Sequence, residues 1–293
     1  MQWLLTKIVL FYARLLSYLP LRVLFFIADG IFFIFYRIYP YRKSVIDINL
    51  FNSFPHKISE ELWFIRTNFY RHFSDLIVET IKGISLKKEE LKDRIFLHHE
   101  SYAMLRKYEQ TGKHIFVVLG HYGNWEWASL LAGIETKLPS YAIYAPSKNK
   151  TFDKFLIKNR ARFGCNLIAM QQIKLLLTSL QKQASLVAFV ADQTPVDTEN
   201  AYWTKFLSRE TPFFKGFETL AQKTDAIVLY ASIKKINRGV YELNFETITE
   251  NAQTTTANAI VEKYAQLLEK DIQLHPEYWL WSHRRWKRAG IKY

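Results

Sequence analysis

The sequence predicts an α/β fold: a mostly parallel, mixed sheet flanked by helices on both faces, preceded by N-terminal membrane-associating helices. Three observations predict it. Short, wholly apolar, β-branched runs at Ile115 to Leu119 and Leu186 to Val190 have the pattern of strands covered on both faces. Helix-period segments separate the strand-like runs, and strands alternating with helices build parallel sheets. The first 40 residues are dense in large apolar groups, yet charges interrupt them too often for a bilayer span.

At the N-terminus, Trp3, Leu4, Leu5, Val9 to Tyr12, Val23 to Ala28 and Ile31 to Tyr36 are broken by Lys7, Arg14, Arg22, Asp29 and Arg37. This pattern predicts two amphipathic helices, broken near Pro20 and lying in the membrane interface, with long cationic side chains snorkelling to headgroups. The apolar stretch is too interrupted for a signal peptide, and no small-residue cleavage site follows it. Residues 1–45 are therefore read as interfacial helices and 46–293 as one catalytic domain.

Ile58, Leu62, Ile65, Phe69, Phe73 and Leu76 recur at helical spacing. The strand Ile115 to Leu119 follows, then a helix from about Asn124 to Ile134 and a strand at Tyr141 to Tyr144. A helix over Thr151 to Phe163 leads to a short strand at Asn166 to Ile168. Ile173, Leu176, Leu177 and Leu180 mark another helix, and Leu186 to Val190 the next strand. A helix over Gly216 to Lys223 leads into the strand Ile227 to Ala231. Tyr241, Leu243 and Phe245 alternate with Glu242, Asn244 and Glu246, a half-exposed strand expected at an edge. Ile260, Tyr264, Leu267 and Leu268 mark the last long helix.

In this chain of 293 residues, 49% are hydrophobic and 16% aromatic, which excludes disorder and permits one large core. Against 27 Asp and Glu stand 40 Lys and Arg, a formal net charge of +13. The cations are dispersed, with no basic arm, so an anionic membrane face or an acidic partner fits better than nucleic acid. The single cysteine, Cys165, has no partner for an internal disulfide and reads as a small buried hydrophobe.

The chemistry concentrates in Leu119-Gly-His-Tyr-Gly-Asn-Trp-Glu-Trp127. His121 falls at the carboxyl end of a strand, where ligands of such sheets collect, and Glu126 in the first turn of the next helix. From outside the helix the imidazole can meet that carboxylate. Glu126 would then fix the tautomer while the other ring nitrogen takes a proton from an acceptor hydroxyl. The hydroxyl oxygen attacks a thioester carbonyl directly, and the backbone N–H groups of Gly123 and Asn124 face the oxyanion. The spacing alone is weak, since His56 and Glu61 repeat it in a polar loop. A structural His beside a helix-capping Glu is the alternative.

No second His or Cys lies close enough to complete a metal site, and no G-x-S-x-G elbow is present. Asp192 and Gln193, at the end of a buried strand, are read as positioning an acceptor headgroup or as turn residues. Arg160 and Arg162 can bind phosphate or carboxylate bidentately, with a solvated helix face the alternative for one of them. Lys205 and Arg209, in a polar loop before Pro212, are candidates for carrier or substrate contact. For Trp279, Trp281 and Trp286, core packing is the reading adopted.

With these residues in place, the sequence resembles the late acyltransferases of lipid A biosynthesis, within the glycerolipid and lysophospholipid acyltransferase superfamily. The His, four residues, then Glu of His121 and Glu126 is its mark. Asn49-Leu-Phe-Asn-Ser-Phe-Pro55, Tyr144-Ala-Pro146 with Asn149, Arg160, Arg162 and Gly164, Ala191-Asp192-Gln193, Thr211-Pro-Phe-Phe-Lys-Gly216 and Pro276 to Trp286 extend the similarity over nearly the whole chain. One departure is Ala145, where the family commonly has Arg; Lys148, Arg160 or Arg162 would then supply the cation.

The resemblance implies catalysis by His121 and Glu126, and substrate contacts from Gly123, Asn124, Tyr144, Lys148, Asn149, Arg160, Arg162, Asp192 and Gln193. It implies no resident cofactor. The co-substrate would be a fatty acyl thioester of acyl carrier protein, or of CoA, and the acceptor a lipid A precursor. The place of action would be the cytoplasmic face of the bacterial inner membrane, with an apolar tunnel beside His121. Acylation of glycerol phosphate, a lysophospholipid or an aminolipid is the alternative enzyme reading, and a membrane-surface scaffold the non-enzymatic one.

Overall fold

The computed structural model describes residues 2–290 and Tyr293. Among them are nine strands: β1 (Ile95–Leu97), β2 (Ile115–Leu119), β3 (Ser140–Tyr144), β4 (Cys165–Ala169), β5 (Leu186–Val190), β6 (Tyr202–Phe206), β7 (Arg209–Phe213), β8 (Ile227–Asn237) and β9 (Val240–Thr249). Seven form one sheet in the order β1-β9-β8-β2-β5-β3-β4. From β8 to β4 every neighbouring pair is parallel, and the β8–β9 hairpin is antiparallel. β2 is the central strand and all five of its residues are buried, which is why its sequence is apolar without alternation.

Connections from β2 to β3 and β3 to β4 step outward one way, and the β4 to β5 connection steps back. Right-handed crossovers therefore put helices Trp125–Glu135 and Lys150–Arg160 on one face and Ile173–Leu180 on the other. The final helix, Ala259–Leu274, packs on β2, β8 and β9.

Two expectations need correction. The alternating strand, β9, does not lie at the sheet's edge: β1 pairs with Tyr241 to Leu243, and only the rest of β9 has no strand beyond it. The supposed polar loop carrying Lys205 and Arg209 is an antiparallel hairpin of β6 and β7. Leu207 and Ser208 both adopt positive φ there, the turn geometry that suits the strand twist but is normally carried by Gly or Asn.

The N-terminal helices are Gln2–Ser17 and Leu21–Phe33, divided at Pro20. They rest on the long helix Ser59–Lys82 through Leu24, Ala28 and Val78. Lys82 and Ser85 donate to the Ser17 carbonyl at 3.2 and 2.6 Å, holding the end of the first helix. Trp3, Leu5, Phe11, Tyr12, Phe26 and Phe33 remain exposed. Among the described residues no helix is long and apolar enough to cross a membrane.

Candidate active site

The site follows from strand register. β2 and β5 run parallel with Leu119 opposite Val190, and the Ala191 amide donates to the Leu119 carbonyl at 3.0 Å. Two residues further along the two strands come His121 and Asp192, so the sheet brings them side by side. His121 Nδ1 lies 2.5 Å from Asp192 Oδ1. Asp192 Oδ2 accepts the His121 amide and the Trp279 indole N–H, each at 2.8 Å. A side chain at Gly120 would place its Cβ 2.7 Å from Leu268 Cδ1 and 3.3 Å from Asp192 Oδ2, so glycine is what permits this approach.

Asp192 is only 3% exposed. Burial alone would raise its carboxyl. The charge of His121 and the hydrogen bonds from its ring, its amide and Trp279 outweigh burial and hold the group down to about 2. When the ring is neutral, an ionised carboxylate facing Nδ1 requires its one proton there, which leaves Nε2 as a lone pair. Nε2 meets the Gln193 side-chain amide at 3.2 Å, on the open side of the ring. Trp125 presents its ring edge-on to the imidazole, centroid to centroid 5.2 Å.

The loop carrying His121 is clamped from behind. Tyr122 and Trp279 form an isolated bridge, Leu280 donates to the His121 carbonyl at 3.1 Å, and Gly123 donates to the Tyr278 carbonyl at 3.0 Å. His72, fully enclosed, donates from Nε2 to the Gly123 carbonyl at 3.3 Å. Burial, with the charge of Lys235, keeps that imidazole well below the ordinary histidine range, so it is neutral. Gly123 itself has φ +60 and sits against Ile233, where a Cβ would approach to 2.7 Å.

Several sequence-predicted roles change here. Glu126 does not accept from His121: both ring nitrogens are engaged by Asp192 and Gln193. Instead Glu126 binds Arg160 as a two-pronged pair, with Nε to Oε2 at 3.0 Å and Nη2 to Oε1 at 2.5 Å. The Gly123 N–H is taken by Tyr278 and is not turned toward an oxyanion. Asn124 is wholly buried and structural: its Oδ1 caps the helix at Trp127 N (2.9 Å) and its Nδ2 donates to Glu79 Oε2 at 2.8 Å.

Asn149 likewise caps its helix, accepting from Thr151 and Phe152 at 3.1 Å each, and reaches Thr6 of the first helix at 2.8 Å. Arg162 donates to the Ile84 carbonyl and lies over the Phe163 ring. Tyr144 donates to Asp153 at 3.5 Å, and Lys148 is exposed. Two grooves, of about 470 and 620 Å³, mark the surface, but His121 lines neither, so neither is the expected tunnel.

Sequence reasoning missed Asp192 as the partner of His121, and Trp279 as the donor that steadies it. Trp279, Trp281 and Trp286 are buried, and Arg285 is completely enclosed, donating to the Pro212 carbonyl at 2.7 Å. Burial lowers that guanidinium to about 10, against the opposing pull of the nearby Asp192 charge. Cys165 is a buried thiol raised to about 11 by burial.

Comparisons with known proteins point to one family. A model of the family described as bacterial lipid A biosynthesis acyltransferase matches residues 1–288. The chain is 24% identical over 251 residues to the lipid A biosynthesis palmitoleoyltransferase of Escherichia coli (strain K12), covering 85% of this chain and 80% of that protein. The lipid A biosynthesis acyltransferase of Shigella flexneri is similar to the same extent.

Proposed function

The chain belongs to the bacterial lipid A biosynthesis acyltransferases, and from that premise we propose that it moves a fatty acyl chain from a thioester to a hydroxyl of a lipid A precursor, with His121 as general base. The donor is an acyl thioester of acyl carrier protein or of CoA. The observation that carries the reading is the 2.5 Å contact between His121 Nδ1 and a buried, ionised Asp192.

In this reaction Nε2 takes the acceptor's proton as its oxygen attacks the thioester carbonyl. Asp192 stabilises the imidazolium that forms. The tetrahedral intermediate then expels the thiolate, which recovers the proton from the ring. No acyl-enzyme is formed, since among the described residues the ring nitrogens of His121 meet Asp192 and Gln193 and no Ser or Cys. Glu126 enters through Arg160: it aims the guanidinium fork, whose remaining N–H groups meet a phosphate or the developing oxyanion.

The reaction takes place at the cytoplasmic face of the inner membrane. Support comes from the exposed apolar faces of the first two helices and from the excess of cations, which suit anionic lipid and an acidic carrier protein. Residues 1–45 act as the anchor of the catalytic residues 46–293. Mass spectrometry of lipid A from a deletion strain tests the proposal. Plasmid-borne wild type restores one acyl chain and His121→Ala does not; restoration by the variant would overturn it.

A further inference from the structure

Asp192 and Gln193 are consecutive residues, and each holds one nitrogen of the same imidazole. Because Nδ1 carries the proton, Nε2 offers a lone pair, and the end of the Gln193 amide that faces it at 3.2 Å is the NH2 group. Gln193 is exposed, and among the described residues its side chain makes no other hydrogen bond. A long, neutral N–H···N contact from an exposed side chain is weak enough to be displaced, yet it occupies the atom on which the chemistry depends.

We infer that Gln193 is a stopper on the base, a specificity-determining residue that favours transfer over hydrolysis of the thioester. The inference rests on the reading of His121 as general base. Without acceptor, a water at Nε2 would lose a proton to the ring while its oxygen attacked the acyl carbonyl. The C–S bond would then break, and the thiolate would regain the proton, giving free fatty acid and thiol. The Gln193 N–H keeps that position from water. An acceptor hydroxyl displaces it because the rest of the acceptor is also bound; water brings no such contacts.

The test uses the full chain with dodecanoyl thioesters of acyl carrier protein and of CoA, recording thiol release with and without lipid A precursor. Gln193→Ala raises release without acceptor by about three- to tenfold, the value of one neutral hydrogen bond, and the ratio of transfer to hydrolysis falls accordingly. Gln193→Glu sets a carboxylate at Nε2 and holds the ring as imidazolium, so the rising limb of the pH–rate profile moves alkaline by about one unit or more. A purely structural side chain would shift neither readout. Unchanged release in Gln193→Ala overturns the inference, as does loss of transfer without added hydrolysis, which would make Gln193 an acceptor contact. His121→Ala is the separate control: if it retains both reactions, the base reading itself fails.

Discussion

Asp192→Asn removes one charge at nearly constant volume, so its effect isolates what the carboxylate does for the ring. In the native site Oδ2 accepts two N–H groups at 2.8 Å and Oδ1 faces Nδ1 at 2.5 Å. An asparagine has one carbonyl oxygen for these three donors. With that oxygen in the Oδ2 position, the bonds to the His121 amide and the Trp279 indole survive and the NH2 faces Nδ1. Nδ1 must then be the lone pair, the proton moves to Nε2, and the base is blocked. The opposite orientation keeps the tautomer but sets NH2 against two buried donors. Each unsatisfied donor costs about 1–3 kcal/mol, so the blocked arrangement wins by roughly two such contacts. The imidazolium also loses its counter-charge. Together these predict a kcat about 10³- to 10⁴-fold lower, comparable to amidating the orienting carboxylate of a serine protease. The fold keeps its other contacts, so the melting temperature moves by only a few degrees. Thiol release from an acyl thioester, read beside a thermal melt, measures both. A variant that folds normally and turns over within tenfold of wild type would refute the tautomer argument.

Other perturbations separate the remaining parts of the account. Burial raises the Glu79 carboxyl to about 7, against the pull of Lys235 and the hydrogen bonds from Tyr241 and Asn124. Because the folded value lies above the unfolded one, its contribution is whole below about pH 4.5 and is lost as pH rises through 7, roughly 3 kcal/mol in all. Wild type should therefore lose more stability between pH 5 and pH 8 than Glu79→Gln does; parallel melting curves across that window would contradict the assignment. Arg160→Lys cannot reproduce the two-pronged bond to Glu126, and kcat/KM should fall about tenfold or more with little change in melting; activity near wild type would remove Arg160 from the site. Trp3 and Phe26 are 57% and 79% exposed. Trp3→Ser combined with Phe26→Ser should weaken sedimentation with anionic vesicles by at least about tenfold, since each buried aromatic is worth about 1.5–3 kcal/mol, while leaving the melt unchanged. Undiminished vesicle binding would refute the anchoring role.

The layers of this fold are legible in the sequence because burial on both faces leaves an unmistakable residue pattern. Ile115 to Leu119 and Leu186 to Val190 are strands at those same positions. The hairpin of β6 and β7 is not legible, since its turn is made by Leu207 and Ser208 rather than by the residues that prefer positive φ. The long helix extends to Lys82, past the end of its apolar stripe, because His72, Asp75 and Glu79 take buried positions where apolar residues are expected.

The partner of His121 was hidden for a different reason. Periodicity identifies strands but not which strands are neighbours. β5 lies against β2 although two strands and three helices intervene in the chain, so Asp192 is 71 positions away in sequence and one strand away in space. The short-range spacing drew attention to Glu126, whose first-turn position serves Arg160. A usable signal does exist. His121 and Asp192 each stand two residues beyond a wholly apolar run of five, and parallel strands paired in register must bring such positions together. The local anomalies converge on the same place. The positive φ of Gly123, the neutral His72 on its carbonyl and the half-satisfied Glu79 behind Asn124 all surround one loop. Each is unfavourable for stability taken alone. Their common effect is to hold the loop after β2 rigid from behind, while its front, where among the described residues Nε2 meets only the Gln193 amide, stays open to a substrate.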